Sequence, residues 1–163
     1  MRSLSGESYA RGFTLLEILV VMGLVLVVVA FGLIVSFDDY RGFNFRNERD
    51  IVVNVIQKAR SQAVNNMCFG TGCTDGKDHG VYFGTTGQYV IFQGATYASR
   101  DVAVDEVIEA RDDATILSGV ESVVFHRLRA DAVVTGGSTL TVTQSTHTST
   151  ITIEPEGRVW WSN

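Results

Sequence analysis

Apolar positions fall into three successive patterns along the chain. The first is an unbroken run: Ile18 to Val35 holds eighteen residues without a charge or a strong hydrogen-bonding side chain. Taken from Phe13 to Phe37 the segment is twenty-five residues, a helix of roughly 37 Å at 1.5 Å per residue. A hydrocarbon core of about 30 Å needs roughly 20. Beyond Asp38 comes a short polar stretch, Asp39 to Asn47, in which Phe43 and Phe45 read as exposed aromatics and Gly42 as a point where a helix bends or divides. The second pattern then begins. Val52, Ile56, Ala59, Ala63 and Met67 recur at spacings of four, three, four and four, the apolar stripe of an amphipathic helix, with Arg49, Lys58 and Arg60 mostly off it.

The third pattern is a series of short β-rich runs between turn residues. Val81-Tyr82-Phe83 and Tyr89-Val90-Ile91-Phe92 predict a hairpin across Gly84-Thr85-Thr86-Gly87. Strands are also expected at 115–117, 123–125, 140–143 and 150–153, and Val159-Trp160-Trp161 as a last edge strand after the Glu156-Gly157 turn. Thr alternating with Val, Leu and Ile predicts strands with one face on a helix and one on water. The fold class that follows is α+β: a long N-terminal helix, hydrophobic then amphipathic, packed on an antiparallel sheet. The divisions expected are 1–12, 13–37, 38–68 and 69–163.

Charge narrows the partners. The chain carries a formal −5, and without its first twelve residues it has 11 basic and 17 acidic residues, a net −6. An acidic body argues against general binding of nucleic acid or anionic lipid, which needs clustered Lys and Arg.

The N-terminus has three readings. A cleaved secretory signal needs a shorter apolar core and a small-residue cleavage site after it, and Ser36-Phe37-Asp38-Asp39 is a poor candidate. A plain membrane anchor fits the length but leaves Glu17 inside the apolar segment. A carboxylate there costs on the order of 2.5–3.5 kcal/mol at the centre of a membrane helix and less near its end, where the helix dipole favours it. The third reading accounts for every residue in register. Arg11-Gly12-Phe13-Thr14-Leu15-Leu16-Glu17, followed by Ile18-Leu19-Val20-Val21, resembles the prepilin peptidase site of type IV pilins and type II secretion pseudopilins. The resemblance implies a leader, residues 1–12, cut off between Gly12 and Phe13, and N-methylation of the new terminus at Phe13. It implies that Glu17 neutralises the α-amino group of a neighbouring subunit during assembly, since an unpaired buried charge is expensive. It also implies a single-pass inner-membrane protein held by residues 13–37, with a cytoplasmic N-terminus carrying Arg2 and Arg11 and an extracytoplasmic head, later drawn into a filament. The implied partners are other pilin subunits, the prepilin peptidase and an inner-membrane assembly platform. Gly23 and Gly32 are positions where helices can approach or bend, and no proline interrupts the segment, the only one being Pro155.

A narrower likeness covers the rest. Ala59-Arg60-Ser61-Gln62-Ala63-Val64, then Cys68, a Gly/Asp-rich loop and Cys73, then Gly80-Val81-Tyr82-Phe83, and the closing Ile151 to Val159, are similar to GspH/FimT-like minor pseudopilins. That implies an antiparallel head, often of two sheets. Outside the inner membrane, Cys68 and Cys73, separated by Phe-Gly-Thr-Gly, read first as a disulfide, with free thiols or a zinc site including His79 as alternatives. Asp75-Gly76-Lys77-Asp78 reads as a solvated turn rather than a calcium loop. Asp105, Glu106, Glu109, Asp112 and Asp113 read as a solvated acidic face. His79, His126 and His147 are scattered without a pairing carboxylate or cysteine spacing, and Gly136-Gly137-Ser138 precedes no helix, so neither a catalytic set nor a phosphate cradle is expected. No cofactor or metal is expected. The alternative function is DNA capture at a filament tip. Some FimT-like proteins carry Gly-Arg-x-Arg near the C-terminus, of which Gly157-Arg158-Val159-Trp160 keeps one arginine; Arg158 would meet phosphate and Trp160 a base.

Overall fold

A computed structural model describes residues 13–84, 87–110, 115–129 and 131–162, without the side chains of residues 34–39. The expected leader with Gly12, the hairpin residues Thr85 and Thr86, and Asp112 and Asp113 of the acidic face lie outside them. The chain divides into two compact units, one ending at Tyr40 and one beginning at Arg41.

Helix α1 runs from Leu15 to Val64 without interruption. Gly42 does not divide it. Gly42 has ordinary space around it, an added Cβ meeting only His147 Nε2 at 3.5 Å, and Phe45 on the next turn is buried at 5% exposure. Phe45, read as exposed, lies seven residues before Val52 and so extends the same stripe by two turns; Phe43 is exposed. The C-terminal end is sharper than the stripe suggested. Asn66 adopts φ +53°, Met67 N–H donates to Gln62 O at 2.9 Å, and Asn66 N–H donates to Ala63 O at 3.0 Å. This pair of bonds is a Schellman cap, with Asn supplying the left-handed residue it tolerates better than most. Met67 therefore falls beyond the helix and is 42% exposed, while Val52, Ile56, Ala59 and Ala63 are fully buried.

The first unit is the apolar part of α1, where every described side chain from residue 13 to 33 is exposed. Among the described residues, the second unit adds nine strands to the remainder of the helix. They are β1 (His79–Phe83), β2 (Gln88–Gln93), β3 (Glu106–Glu109), β4 (Ile116–Ser118), β5 (Ser122–Phe125), β6 (Ala132–Thr135), β7 (Thr139–Gln144), β8 (His147–Ile153) and β9 (Val159–Ser162). Two antiparallel sheets result, in the orders β3-β2-β1-β5-β6 and β4-β7-β8-β9. The β1–β2 hairpin pairs Phe83 with Tyr89, as the sequence predicted. β3 and β6 were not anticipated.

One core serves the helix and both sheets. Phe45, Val52 and Ile56 of α1 meet Val81, Tyr89 and Phe125 of the larger sheet and Leu140 and Ile151 of the smaller. In the smaller sheet the Thr alternation holds: Leu140, Val142, Ile151 and Ile153 are buried and the intervening threonines half-buried. The larger sheet departs from the expected wet face, because β2 is buried along five consecutive residues. Residues 94–105 fold over its outer side. There Tyr97 stacks on Tyr82 with ring centroids 3.8 Å apart and meets Phe92 edge-on at 5.5 Å. Gly80 makes room for this layer: a Cβ there would lie 2.5 Å from Phe92 Cζ and 2.6 Å from Val123 O.

Candidate processing and assembly site

The segment that the sequence marks for processing is built around a helix start. Thr14 precedes α1, and its Oγ1 accepts the Glu17 N–H at 3.2 Å. Thr14 O accepts the N–H groups of Glu17 and Ile18 at 3.1 and 3.2 Å. Thr14 is thus the N-cap and Glu17 the third helical residue, the Thr-x-x-Glu spacing of a capping box. Only the threonine half of the box is formed among the described residues, where the Glu17 carboxylate accepts no backbone N–H. It sits in the first turn, where the N–H ends of the helix favour negative charge, and beside Phe13, which is 78% exposed.

From there the helix offers only hydrocarbon. Leu15–Leu33 is a 19-residue stretch long and apolar enough to cross a membrane, and none of it is buried within the chain. At 1.5 Å per residue it covers about 28 Å, close to the thickness of a hydrocarbon core. Burying one such Leu or Val side chain is worth roughly 1.5–3 kcal/mol, so a row of exposed ones needs a lipid or protein surround.

The remaining candidates lie in the head and are not brought together with Phe13 and Glu17. Cys68 and Cys73 form a disulfide with Cα atoms 5.8 Å apart, an ordinary separation for such a bond. Their loop is held by Gln93. Its Oε1 accepts the Phe69 N–H at 2.8 Å, and its Nε2 donates to Phe69 O at 3.2 Å, so one side-chain amide imitates a strand partner. His79 is not a ligand in waiting: it is buried in β1, its Nε2 donates to Met67 O at 3.1 Å, and Phe69 packs edge-on against it. Burial pushes its pKa below 6.5, against smaller upward pulls from that hydrogen bond and from Asp78. No group of three His, Cys, Asp or Glu side chains suited to a metal exists among the described residues.

Two acidic features differ from the solvated turns expected. Asp78 accepts the Arg127 N–H at 2.8 Å and lies 3.1 Å from His126 Nδ1, fastening the 75–78 loop to the end of β5. Asp105 is paired with Arg100 at 2.7 Å with both side chains largely covered, which raises the Arg100 pKa further. Glu106 meets Lys58 of α1 at 2.6 Å. Near the C-terminus, Arg158 pairs with Glu154 at 2.7 Å and Trp160 Nε1 donates to the same carboxylate at 3.3 Å.

Sequence reasoning missed Glu48. It is 1% exposed on the core side of α1, three residues from Phe45, and accepts a short hydrogen bond from the buried Tyr89 hydroxyl. Burial first, and the Glu48 hydrogen bond next, push the Tyr89 pKa far above its ordinary 10. The spacing from Phe45 and Val52 was the available signal, overridden by the assumption that a charged residue faces water.

Residues 8–33 match the family model of the prokaryotic N-terminal methylation motif. No curated protein and no solved structure was found to match the chain. The matched motif is typical of type IV pilins and pseudopilins, and the exposed apolar helix that it opens and the antiparallel head agree with a pilin-like α+β fold.

Proposed function

We propose that the chain is a minor subunit of a type IV pilus or a type II secretion pseudopilus, cut between Gly12 and Phe13 and assembled through its N-terminal helix. The carrying observation is the methylation motif over residues 8–33, running into an apolar stretch, Leu15–Leu33, of which nothing is buried within its own chain. In this reading the subunit waits in the inner membrane, N-terminus inside and head outside, and is then handed from the assembly platform to the filament. There the methylated amine of Phe13 meets Glu17 of a neighbouring copy. The half-formed capping box favours that role, because the carboxylate stays available while the helix start is already satisfied by Thr14. The Cys68–Cys73 disulfide suits a head outside the cytoplasm. DNA capture is the weaker reading, since Arg158 and Trp160 both turn to Glu154 and the body is acidic. Mass spectrometry of the membrane form tests the proposal: an N-methylated Phe13 terminus is expected, and an intact Met1 ends it.

A further inference from the structure

Strand β9 is an edge of the smaller sheet, and its residues Val159–Ser162 include no Lys or Pro. Natural edges are guarded by Lys, Pro, bulges or a covering segment, whereas β9 presents Trp160 and Trp161 at 50% and 45% exposure. Beside that edge lies a groove of about 430 Å³ between Val159 and the last turns of α1, lined by Gln57, Arg60, Ser61, Val64 and Asn65. Its chemistry is specific. Arg60 makes no ion pair among the described residues, and its Nε is buried without a hydrogen-bond partner. One helical turn further on, Val64 is 41% exposed. The groove therefore offers a cation and an apolar wall about 6 Å apart along the helix.

The chain carries the complement elsewhere on its own head. Strand β3 is the open edge of the larger sheet. Ile108 packs toward the core and Glu106 toward Lys58 of α1, so the alternation of a strand turns Val107 and Glu109 outward. Val107 is 54% exposed, and Glu109 is exposed with no cation among the described residues. Residues two apart on a strand are separated by about 6.7 Å. An apolar side chain and a carboxylate at that spacing match Val64 and Arg60. The other edges, β4 with Ile-Leu-Ser and β6 with Ala-Val-Val-Thr, carry no charge to offer, and β6 is already engaged at Ala132 by Pro155 O.

We propose that β3 of one copy adds to the β9 edge of the next, with Val107 on Val64 and Glu109 on Arg60. Backbone hydrogen bonds supply much of the affinity in such strand addition, and the side-chain pair supplies its register. The two patches are different and face different partners. The contact is therefore heterologous, and repeated it gives an open chain rather than a closed dimer. The inference rests on the filament reading but is tested separately from it.

The full-length chain, in detergent and in membranes, carries photoreactive benzoylphenylalanine in place of Val107 and is mixed with an isotope-labelled copy. The expected products are mixed-isotope cross-links from position 107 to residues 57–65 or 159–161. Cross-links confined to one chain, or joining 107 to 107, overturn the proposal. Arg60→Glu or Glu109→Arg alone is expected to lower the yield about fivefold, corresponding to about 1 kcal/mol at 1.4 kcal/mol per decade. The double variant is expected to recover it, and failure to recover counts against the pairing even if a single variant is poorly folded. Should Arg60→Glu remove a salt-sensitive DNA gel shift and leave the cross-link unchanged, the groove serves nucleic acid and the strand pairing is wrong. The N-terminus is mapped on the same samples: an intact leader refutes the filament reading, and a processed terminus without the cross-link refutes the interface alone.

Discussion

Replacing Tyr89 with Phe removes one hydroxyl from the most enclosed polar contact in the head and leaves the rest of the side chain in place. Tyr89 is fully buried and Glu48 is 1% exposed, so water cannot enter to replace the lost donor. A hydrogen bond to a charged group contributes about 1.5–3 kcal/mol, and a buried acceptor deprived of one donor bears its desolvation cost. Glu48 has a further interaction besides this hydroxyl, which argues for the lower half of that range. For a head of about 120 residues, 1 kcal/mol moves the midpoint by roughly 4 °C, so a fall of about 6–9 °C is expected. The assay is thermal unfolding of the full-length chain in detergent, followed by near-ultraviolet circular dichroism. The alkaline limb gives a second readout. Because the folded-state pKa of Tyr89 lies far above 10, the native protein keeps a proton that the unfolded chain releases above pH 10. Stability is therefore full below that pH and declines as the pH rises past it. Tyr89→Phe should flatten this decline. A variant that melts with the wild type and keeps the alkaline slope would refute the assignment of Glu48 and Tyr89 as a stabilising pair.

Four further outcomes are expected. Glu17→Leu should still be cut and methylated at Phe13 but fail to assemble, because leaving the partner amine buried and unpaired costs about 3–5 kcal/mol; N-terminal mass spectrometry beside filament yield reads both. Reduction, or Cys68→Ser with Cys73→Ser, should lower head stability by about 2 kcal/mol, the chain-entropy value for so short a loop, as measured by urea denaturation. His79 has its pKa held below 6.5 by burial, so the unfolded chain binds a proton that the native one refuses. Stability should then drop as the pH falls below 6.5, and His79→Gln should remove that part of the slope in acid titration of the melting point. Gly80→Ala should destabilise the head by more than about 1 kcal/mol, since its Cβ would collide with Phe92 and with the Val123 carbonyl and overpacking costs at least that much; calorimetry checks it.

Much of this architecture could be read from periodicity. Val52, Ile56, Ala59 and Ala63 announced the buried face of α1 because apolar side chains repeating every 3.6 residues line up only on a helix. The Thr-rich strands were legible for the corresponding reason at period two. The failures have local causes. β3 hid behind its acids: Glu-Val-Ile-Glu reads as solvated until Lys58 and the neighbouring strand are known to lie beside it. The end of α1 depended on Asn66 entering a left-handed conformation, a choice the apolar pattern does not encode. The covering of the larger sheet by residues 94–105 rests on Tyr97 finding Tyr82 and Phe92, long-range contacts that no window of sequence contains. At the N-terminus the motif itself carried the information. What the structure adds there is the Thr14 cap on the Glu17 N–H.

The clamp of Gln93 on Phe69 bears on how the subunit is made. Because a side-chain amide grips both backbone groups of the residue next to Cys68, the loop is in place through contacts that need no oxidant. The two thiols are then delivered to each other at high effective concentration. Oxidation becomes the sealing of a finished shape instead of the event that creates it. A head with its thiols still reduced would already hold this loop through Gln93, and gains durability from the disulfide afterwards.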